Sequence, residues 1–408
     1  MRFCSALLLA CVLICPAIAG DWPQILGPGR DGQVAGETIA IWNKPPEARW
    51  KVPCGAGYAG AAVVGDQVFL WHRIGREELL DCLNAKDGKR IWRTGFEAVY
   101  RGGVDADQGP RCVPVVDGNR VFVYGAAGDL HAVNVSDGKP IWTRKLRSEY
   151  DAEDGYFGAG STPLVVGQTL VALIGGRNGA GVVALDVQDG KTRWTASDEE
   201  ASYASPVTMQ IDNQPVVVAV MGLSTLVLDL ETGKIKRQFD FGRRGPVVNA
   251  ATPLVDGSRL FVTASYGIGC RMVDLKPETP TDIWQSRDVI SSQYASPVRS
   301  GDYLYAITGR EDMGDAGLLC VRWADGKTTW TRPDFGTGHL IVAGNRVLAQ
   351  LTDGRLELFA ADPTAYKRLA TADLPPGSYK SLPAFSGGTL FCRRTISSTA
   401  GELIALQW

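Results

Sequence analysis

Six tryptophans recur along this chain at an almost regular interval, at Trp50, Trp92, Trp142, Trp194, Trp284 and Trp330. The gaps are 42, 50, 52, 90 and 46 residues, and 90 is twice 45. A repeat of that length, carried by one large aromatic, is the pattern of a propeller or solenoid array. Four of the six follow one phrase. Asp87-Gly88-Lys89, Asp137-Gly138-Lys139, Asp189-Gly190-Lys191 and Asp325-Gly326-Lys327 each place a tryptophan four residues after the glycine. Asp-Gly between apolar runs predicts a two-residue hairpin, because glycine accepts the positive φ of a primed turn. The preceding run alternates: Val182, Ala184 and Asp186 fall on one side, Val183, Leu185 and Val187 on the other. A period of two reads as strand.

A second set of turns lies upstream, at Gly65-Asp66, Asp117-Gly118, Gly167, Asp212-Asn213, Asp256-Gly257, Gly301-Asp302, Gly344-Asn345 and Gly387-Gly388. Each unit is therefore four antiparallel strands, and the eight units begin near Tyr58, Arg111, Ser161, Tyr203, Ala250, Tyr294, Gly338 and Lys380. The eighth reaches Trp408 with three strands, while Arg49-Trp50-Lys51-Val52 reads as a fourth strand with no predecessors. Joining the two leaves no unpaired end blade, as a closed ring requires. The expectation is an all-β, eight-bladed β-propeller over residues 48–408, closed by an N-terminal strand in the last blade. Three units depart from the pattern. Arg237 stands in the tryptophan place of the fourth, Lys276-Pro277-Glu278 replaces the glycine turn of the fifth, and the seventh has only Asp362-Pro363 and Tyr366. A seven-bladed count stays open if the strands of the seventh do not pair.

Residues 1–19 read as a cleavable secretory signal: Arg2, an apolar core from Leu7 to Ile14, then Ala17-Ile18-Ala19. That core is too short to span a bilayer. A lipoprotein signal ending at Cys11 is the rival, opposed by the apolar run continuing to Cys15. Residues 20–47 form a leader. The expected location is periplasmic or extracellular, with no transmembrane helix after Ala19. A formal charge of −2 gives no basic stripe, which argues against nucleic acid. Six cysteines follow the signal, without a Cys-x-x-Cys, so neither a zinc site nor a redox pair is written locally. Cys82 and Cys320 sit five residues before Asp87 and Asp325, in the register of Ala132 and Ala184, and read as small core residues.

Chemistry is sparse. His72 and His131 fall in predicted strands and read as structural, whereas His339 opens a first strand near the axis. Gly175 to Gly181 is glycine-rich, but it lacks Gly-Lys-Ser/Thr and joins two strands, so it reads as a loop. The acidic stretches 105–109 and 311–315 lack the spacing of a calcium loop. Asn134-Val135-Ser136 matches a glycosylation sequon inside a strand turn. Strand parity locates function better. In each blade the first and third turns share one face, and the middle turn and crossover share the other. The variable segments 93–110, 147–160 and 309–317 all fall on the crossover face, where loops on a rigid frame carry recognition. Arg111, Tyr203, Tyr294, His339 and Lys380 start first strands there and are the candidate funnel residues, for a planar anion or a peptide strand. Plugging the channel is the equal alternative.

Ala184-Leu185-Asp186, Asp189-Gly190-Lys191 and Trp194 resemble the repeat of pyrroloquinoline-quinone (PQQ) propellers. The leader from Trp22 to Gly32, with Tyr203-Ala204-Ser205-Pro206 and Tyr266-Gly267-Ile268-Gly269-Cys270, resembles secreted bacterial PQQ-like repeat proteins, a group similar to the outer-membrane assembly factor BamB. The resemblance implies that each tryptophan docks its blade onto the next. The leading expectation is a non-catalytic, monomeric scaffold for a protein or peptide partner in the envelope, with neither metal nor cofactor. The alternatives are a glycan-binding module or a PQQ- and calcium-dependent sugar or alcohol oxidoreductase, with Asp105, Asp107 or Asp154 as base. Whether the chain is an enzyme stays open, but the residues lean against it. The vicinal cysteine pair of the quinoprotein dehydrogenases and a Cys-x-x-Cys-His haem motif are absent from the sequence.

Overall fold

In a computed structural model that describes residues 20–408, the Asp-Gly-Lys phrases close hairpins between third and fourth strands. They are not two-residue hairpins, as the dipeptide suggested. Asn84 donates its N–H to the Lys89 carbonyl, so four residues, Ala85 to Gly88, lie inside the loop. Gly88 takes φ 71° and returns its own N–H to the Asn84 carbonyl. A bulge follows at once, between Cys82 and Leu83 opposite Arg90 and Trp92. One left-handed residue plus a bulge is the longer hairpin solution, and it re-aims the tryptophan. The first turns are the true two-residue loops. Asp212 and Asn213 both hold positive φ (52° and 59°), as a type I′ turn needs.

Eight sheets result. Blade 1 comprises Ala61–Val64, Gln67–Ile74, Glu77–Asn84 and Arg90–Glu97. The seventh unit pairs as fully as the others, through Gly338–Ala343, Arg346–Leu351, Arg355–Ala360 and Arg368–Asp373, which removes the seven-bladed count. Blade 8 takes three strands from the C-terminal end, and Glu47–Gly55 pairs antiparallel with Ala400–Gln407 as its fourth, Trp50 opposite Ala405. The ring closes as expected.

Every tryptophan of the beat reaches the next blade. The indole N–H of Trp50 donates to Ala85 O at 2.9 Å, Trp92 to Val135 O at 3.0 Å and Trp142 to Val187 O at 3.1 Å. Trp194, Trp284 and Trp330 repeat the contact on Leu230, Trp323 and Asp362 at 2.9 Å. The ring lies on the turn glycine of that next blade. A Cβ built on Gly88, Gly138, Gly190, Gly233 or Gly326 would come within 2.4–2.8 Å of the facing indole. The irregular units follow from this seat. Blade 5 has Pro277 instead of a turn glycine, and the blade 4 residue facing it is Arg237, whose Nε donates to Pro277 O at 2.7 Å. Blade 7 carries Ala370 in the tryptophan register, and blade 8 has no third turn to receive a ring. There Trp42 donates to Thr371 O and stacks on Trp408 at 5.5 Å. Opposite the indoles sit Cys82, Ala132, Ala184 and Cys320, in one register and fully buried. All six described cysteines are free and buried.

The leader lies across the end of the axial channel, on the face carrying the first turns. Trp22 exchanges two backbone hydrogen bonds with Val63 of blade 1, and Pro23 O accepts Val116 N–H of blade 2. The Arg30 guanidinium, 2% exposed, donates to carbonyls of Thr162 and Pro163 ahead of blade 3 and of Pro206 ahead of blade 4. Gln33–Val34 then runs parallel to Gly338–Ala343, adding a fifth strand to blade 7. Glu37 accepts the Gly388 N–H in the first turn of blade 8. No helix among the described residues is long and apolar enough to cross a membrane. The expected signal and Cys11 lie outside the described residues.

The seat generates a double-mutant test. Trp194→Ala should cost about 3–5 kcal/mol of unfolding free energy in denaturant titration. Gly233→Ala should be strongly destabilising beside Trp194 and much milder in the Trp194→Ala background, since the clash is with the indole. Additive losses would mean that ring and glycine do not act as one contact.

Candidate functional site

The starts of the inner strands converge on the crossover face, and the five funnel residues resolve there into three separate clusters. Tyr294, His339 and Lys380 come together. His339 Nε2 donates to the Lys380 carbonyl at 2.8 Å, and its ring lies 5.9 Å from that of Tyr294. Glu311 ties the group: it accepts the Tyr294 hydroxyl at 3.1 Å and pairs with Lys380 Nζ at 3.0 Å. Burial and the adjacent Glu311 carboxylate push the Tyr294 phenol up, and burial holds the His339 imidazole below its usual value. His339 is thus a buried tether whose Nδ1 has no hydrogen-bond partner among the described residues.

Arg111 faces inward. Its guanidinium pairs with Asp107 at 3.3 Å, donates to the Asp107 carbonyl at 2.6 Å and to Gly109 O, and lies over the rings of Tyr58 and Tyr100. Asp107, 1% exposed, also accepts the N–H groups of Gly57 and Gly109, while Asp105 accepts the Tyr58 hydroxyl at 3.0 Å. Segment 105–111 is therefore held mainly by its own contacts, with Arg111 Nε left without a partner. Tyr203 packs edge-on against Phe157, and its hydroxyl oxygen accepts the Phe157 N–H at 2.8 Å.

Sequence reasoning had passed over Glu311, placed in an acidic turn. That turn is in fact split. Asp312 and Asp315 stay at the surface with Arg310, but Glu311 turns to the axis. Glu78 was also missed; it is 1% exposed and accepts the Ala126 N–H of blade 2 at 2.9 Å. The remaining histidines are structural, as read. His72 bridges Gly55 N–H and Asp81, and His131 stacks on Phe96 at 3.8 Å, burial lowering its pKa to about 3.

Outside these clusters the crossover face carries an apolar ridge. Val104 of the blade 1 crossover donates its N–H to Tyr156 O of the blade 2 crossover at 3.1 Å, so the two longest connections lie side by side. They present Val99, Val104 and Tyr156 at 65, 74 and 41% exposure.

The model of a protein family described as outer membrane protein assembly factor BamB matches residues 75–332. The chain belongs to that family. The BamB of Yersinia pestis is 27% identical over 316 residues, covering 74% of this chain and 70% of that protein. The BamB of Escherichia coli K12 is 26% identical over 385 residues, covering 79% and 88%. Among solved structures, BamB from Moraxella catarrhalis superposes with a TM-score of 0.62 at 16% identity, over 89% of this chain and 97% of that one. A europium-containing methanol dehydrogenase superposes with 0.71 at 12% identity, over 96% and 98%. At these identities the structural likenesses establish the shared propeller fold alone.

The dehydrogenase likeness raises the question of a quinone with its metal. Among the described residues no group of three or more His, Cys, Asp or Glu side chains is placed to hold an ion. Asp105 and Asp107 are committed to Tyr58, Arg111 and backbone N–H groups, and Asp154 pairs with Arg147. Each of these three aspartates therefore already has partners within the chain.

Glu78 supplies a pH test. Burial raises its carboxyl from 4.5 to about 7, so the folded state holds a proton that the unfolded chain has already lost. Its contribution to stability is full below the unfolded value and is lost as pH rises through the folded one. Glu78→Gln should flatten the fall in thermal midpoint between those two values. An unchanged slope would assign the dependence elsewhere.

Proposed function

We propose that this chain is an exported, non-catalytic propeller that works without a cofactor as a protein-interaction scaffold of the cell envelope, in the manner of the assembly factors of its family. The observation that carries the reading is the exposed ridge of Val99, Val104 and Tyr156 on the crossover face of a BamB-family propeller. Solvent-facing apolar groups gathered on loops of a rigid frame mark a partner surface. The pairing of the axial ionisable groups supports the same reading: Glu311 meets Lys380 and Tyr294, and Asp107 meets Arg111. The signal-like residues 1–19 support export, and the relatives' description as outer membrane assembly factors supports a protein partner at that membrane.

The test is affinity capture from envelope extracts of the host with the tagged protein. Val104→Asp with Tyr156→Ala should reduce partner recovery by about tenfold or more at an unchanged thermal midpoint. Undiminished recovery would remove the ridge from the interface. In parallel, PQQ with calcium should leave the thermal midpoint where it was and give no dye reduction with alcohols or aldoses. Reduction above background would select the oxidoreductase instead.

A further inference from the structure

Beside the ridge, between blades 2 and 3, the crossover face holds a socket of ≈ 90 Å³. Two crossovers (145–163 and 197–206) and two middle turns (125–129 and 174–181) surround it. The ridge forms one lip, because Tyr156 stands between Gly155 and Gly158, which both line the socket. That volume is about three waters' worth, or the end of one slender side chain. Tyr124 is part of the lining and is only 2% exposed. Its hydroxyl makes no hydrogen bond among the described residues, and burial pushes the phenol up, so it keeps its proton. A buried hydroxyl facing a socket needs a polar atom from a guest.

Charge around the socket is one-sided. The lining carboxylates Glu153, Asp154 and Glu200 face a single lining cation, Arg147, which pairs with Asp154. Behind them Arg177 divides itself between Glu153 at 3.3 Å and Asp151 at 3.4 Å. Glu199 accepts the N–H groups of Leu223 and Ser224 and keeps its charge, while Glu200 is exposed and in no ion pair among the described residues. The four surrounding segments hold eight carboxylates against Lys145, Arg147 and Arg177. Admitting Arg144, which pairs with Glu149, and Arg101 of the ridge segment still leaves an excess of three carboxylates. The whole chain carries only −2, so its negative charge is concentrated here.

We infer that socket and ridge together dock a basic, extended segment of a protein partner. A lysine side chain enters the socket, its ammonium met by the unbalanced carboxylates and the Tyr124 hydroxyl, while neighbouring apolar side chains lie on Val99, Val104 and Tyr156. The small volume suits the narrow lysine stem and point charge better than a guanidinium fork. Like-charge repulsion turns away anionic lipid and nucleic acid. The inference rests on the scaffold reading and names the chemistry of the partner at that same ridge.

The test uses fluorescence anisotropy of the purified chain with a short labelled peptide in which lysine alternates with leucine. Its sister carries glutamine in place of lysine. Expected are saturable binding of the lysine peptide, weakening with salt, and a loss of about tenfold or more with Glu153→Lys plus Glu200→Lys at an unchanged thermal midpoint. Tyr124→Phe removes the unpartnered hydroxyl alone, so it should weaken binding about fivefold and leave the midpoint in place. Absent saturation, equal binding of the glutamine peptide, indifference to the charge reversal, or full displacement by the free diamine cadaverine would overturn the inference. Capture from envelope extracts tells the two failures apart. Recovery lost with Val104→Asp plus Tyr156→Ala but kept with Glu153→Lys plus Glu200→Lys would overturn the socket and leave the scaffold reading standing.

Discussion

The seating of one indole on one glycine, across five of the eight gaps between blades, is the repeated contact that organises the ring. The seat has two halves in different blades. The glycine must hold positive φ to close its own loop, and it must lack a Cβ because the previous blade's tryptophan lies against it. The indole then caps the third-turn carbonyl of the neighbour, satisfying a backbone acceptor where water is excluded. Because each half is useless without the other, the two are lost together where the pattern breaks. Arg237 faces Pro277, and blade 7 has no indole where blade 8 has no turn. The sixth gap is the exception: Trp330 meets Asp362-Pro363 without a glycine, and Tyr305, Phe359 and Tyr366 pack around it.

Closure makes the two faces of the ring unequal. The leader crosses the face of the first turns, bonding to blades 1, 2, 7 and 8 and reaching the approaches to blades 3 and 4 through Arg30. Arg30 is buried and held by carbonyl oxygens and Gln24, which ties the leader to blades 3 and 4. The long crossovers lie on the other face, where the Val104 N–H to Tyr156 carbonyl bond joins two of them.

At the axis, half-buried Lys380 and Tyr294 both engage the Glu311 carboxylate. A low-dielectric surrounding strengthens such pairing. The same holds for Arg111 within its own loop, where its charge meets Asp107 and two carbonyls.

Blade number, strand order and ring closure were legible from spacing, because a repeat writes the same packing requirement once per unit, and the inter-blade role of the tryptophan followed from the resemblance to PQQ propellers. The crossover face was legible from strand parity. The four-residue third turn was not, since Asp-Gly suits either hairpin and only the hydrogen bond between Asn84 and Lys89 decides its length. Nor were the contacts of Glu311 with Tyr294, Glu78 with Ala126 and Arg30 with Pro206, which span 17, 48 and 176 residues of chain. Local patterning specifies which way a side chain points from its strand, and so determined the architecture. Which distant charge it meets depends on how eight sheets converge on one axis, and that only the assembled ring decided.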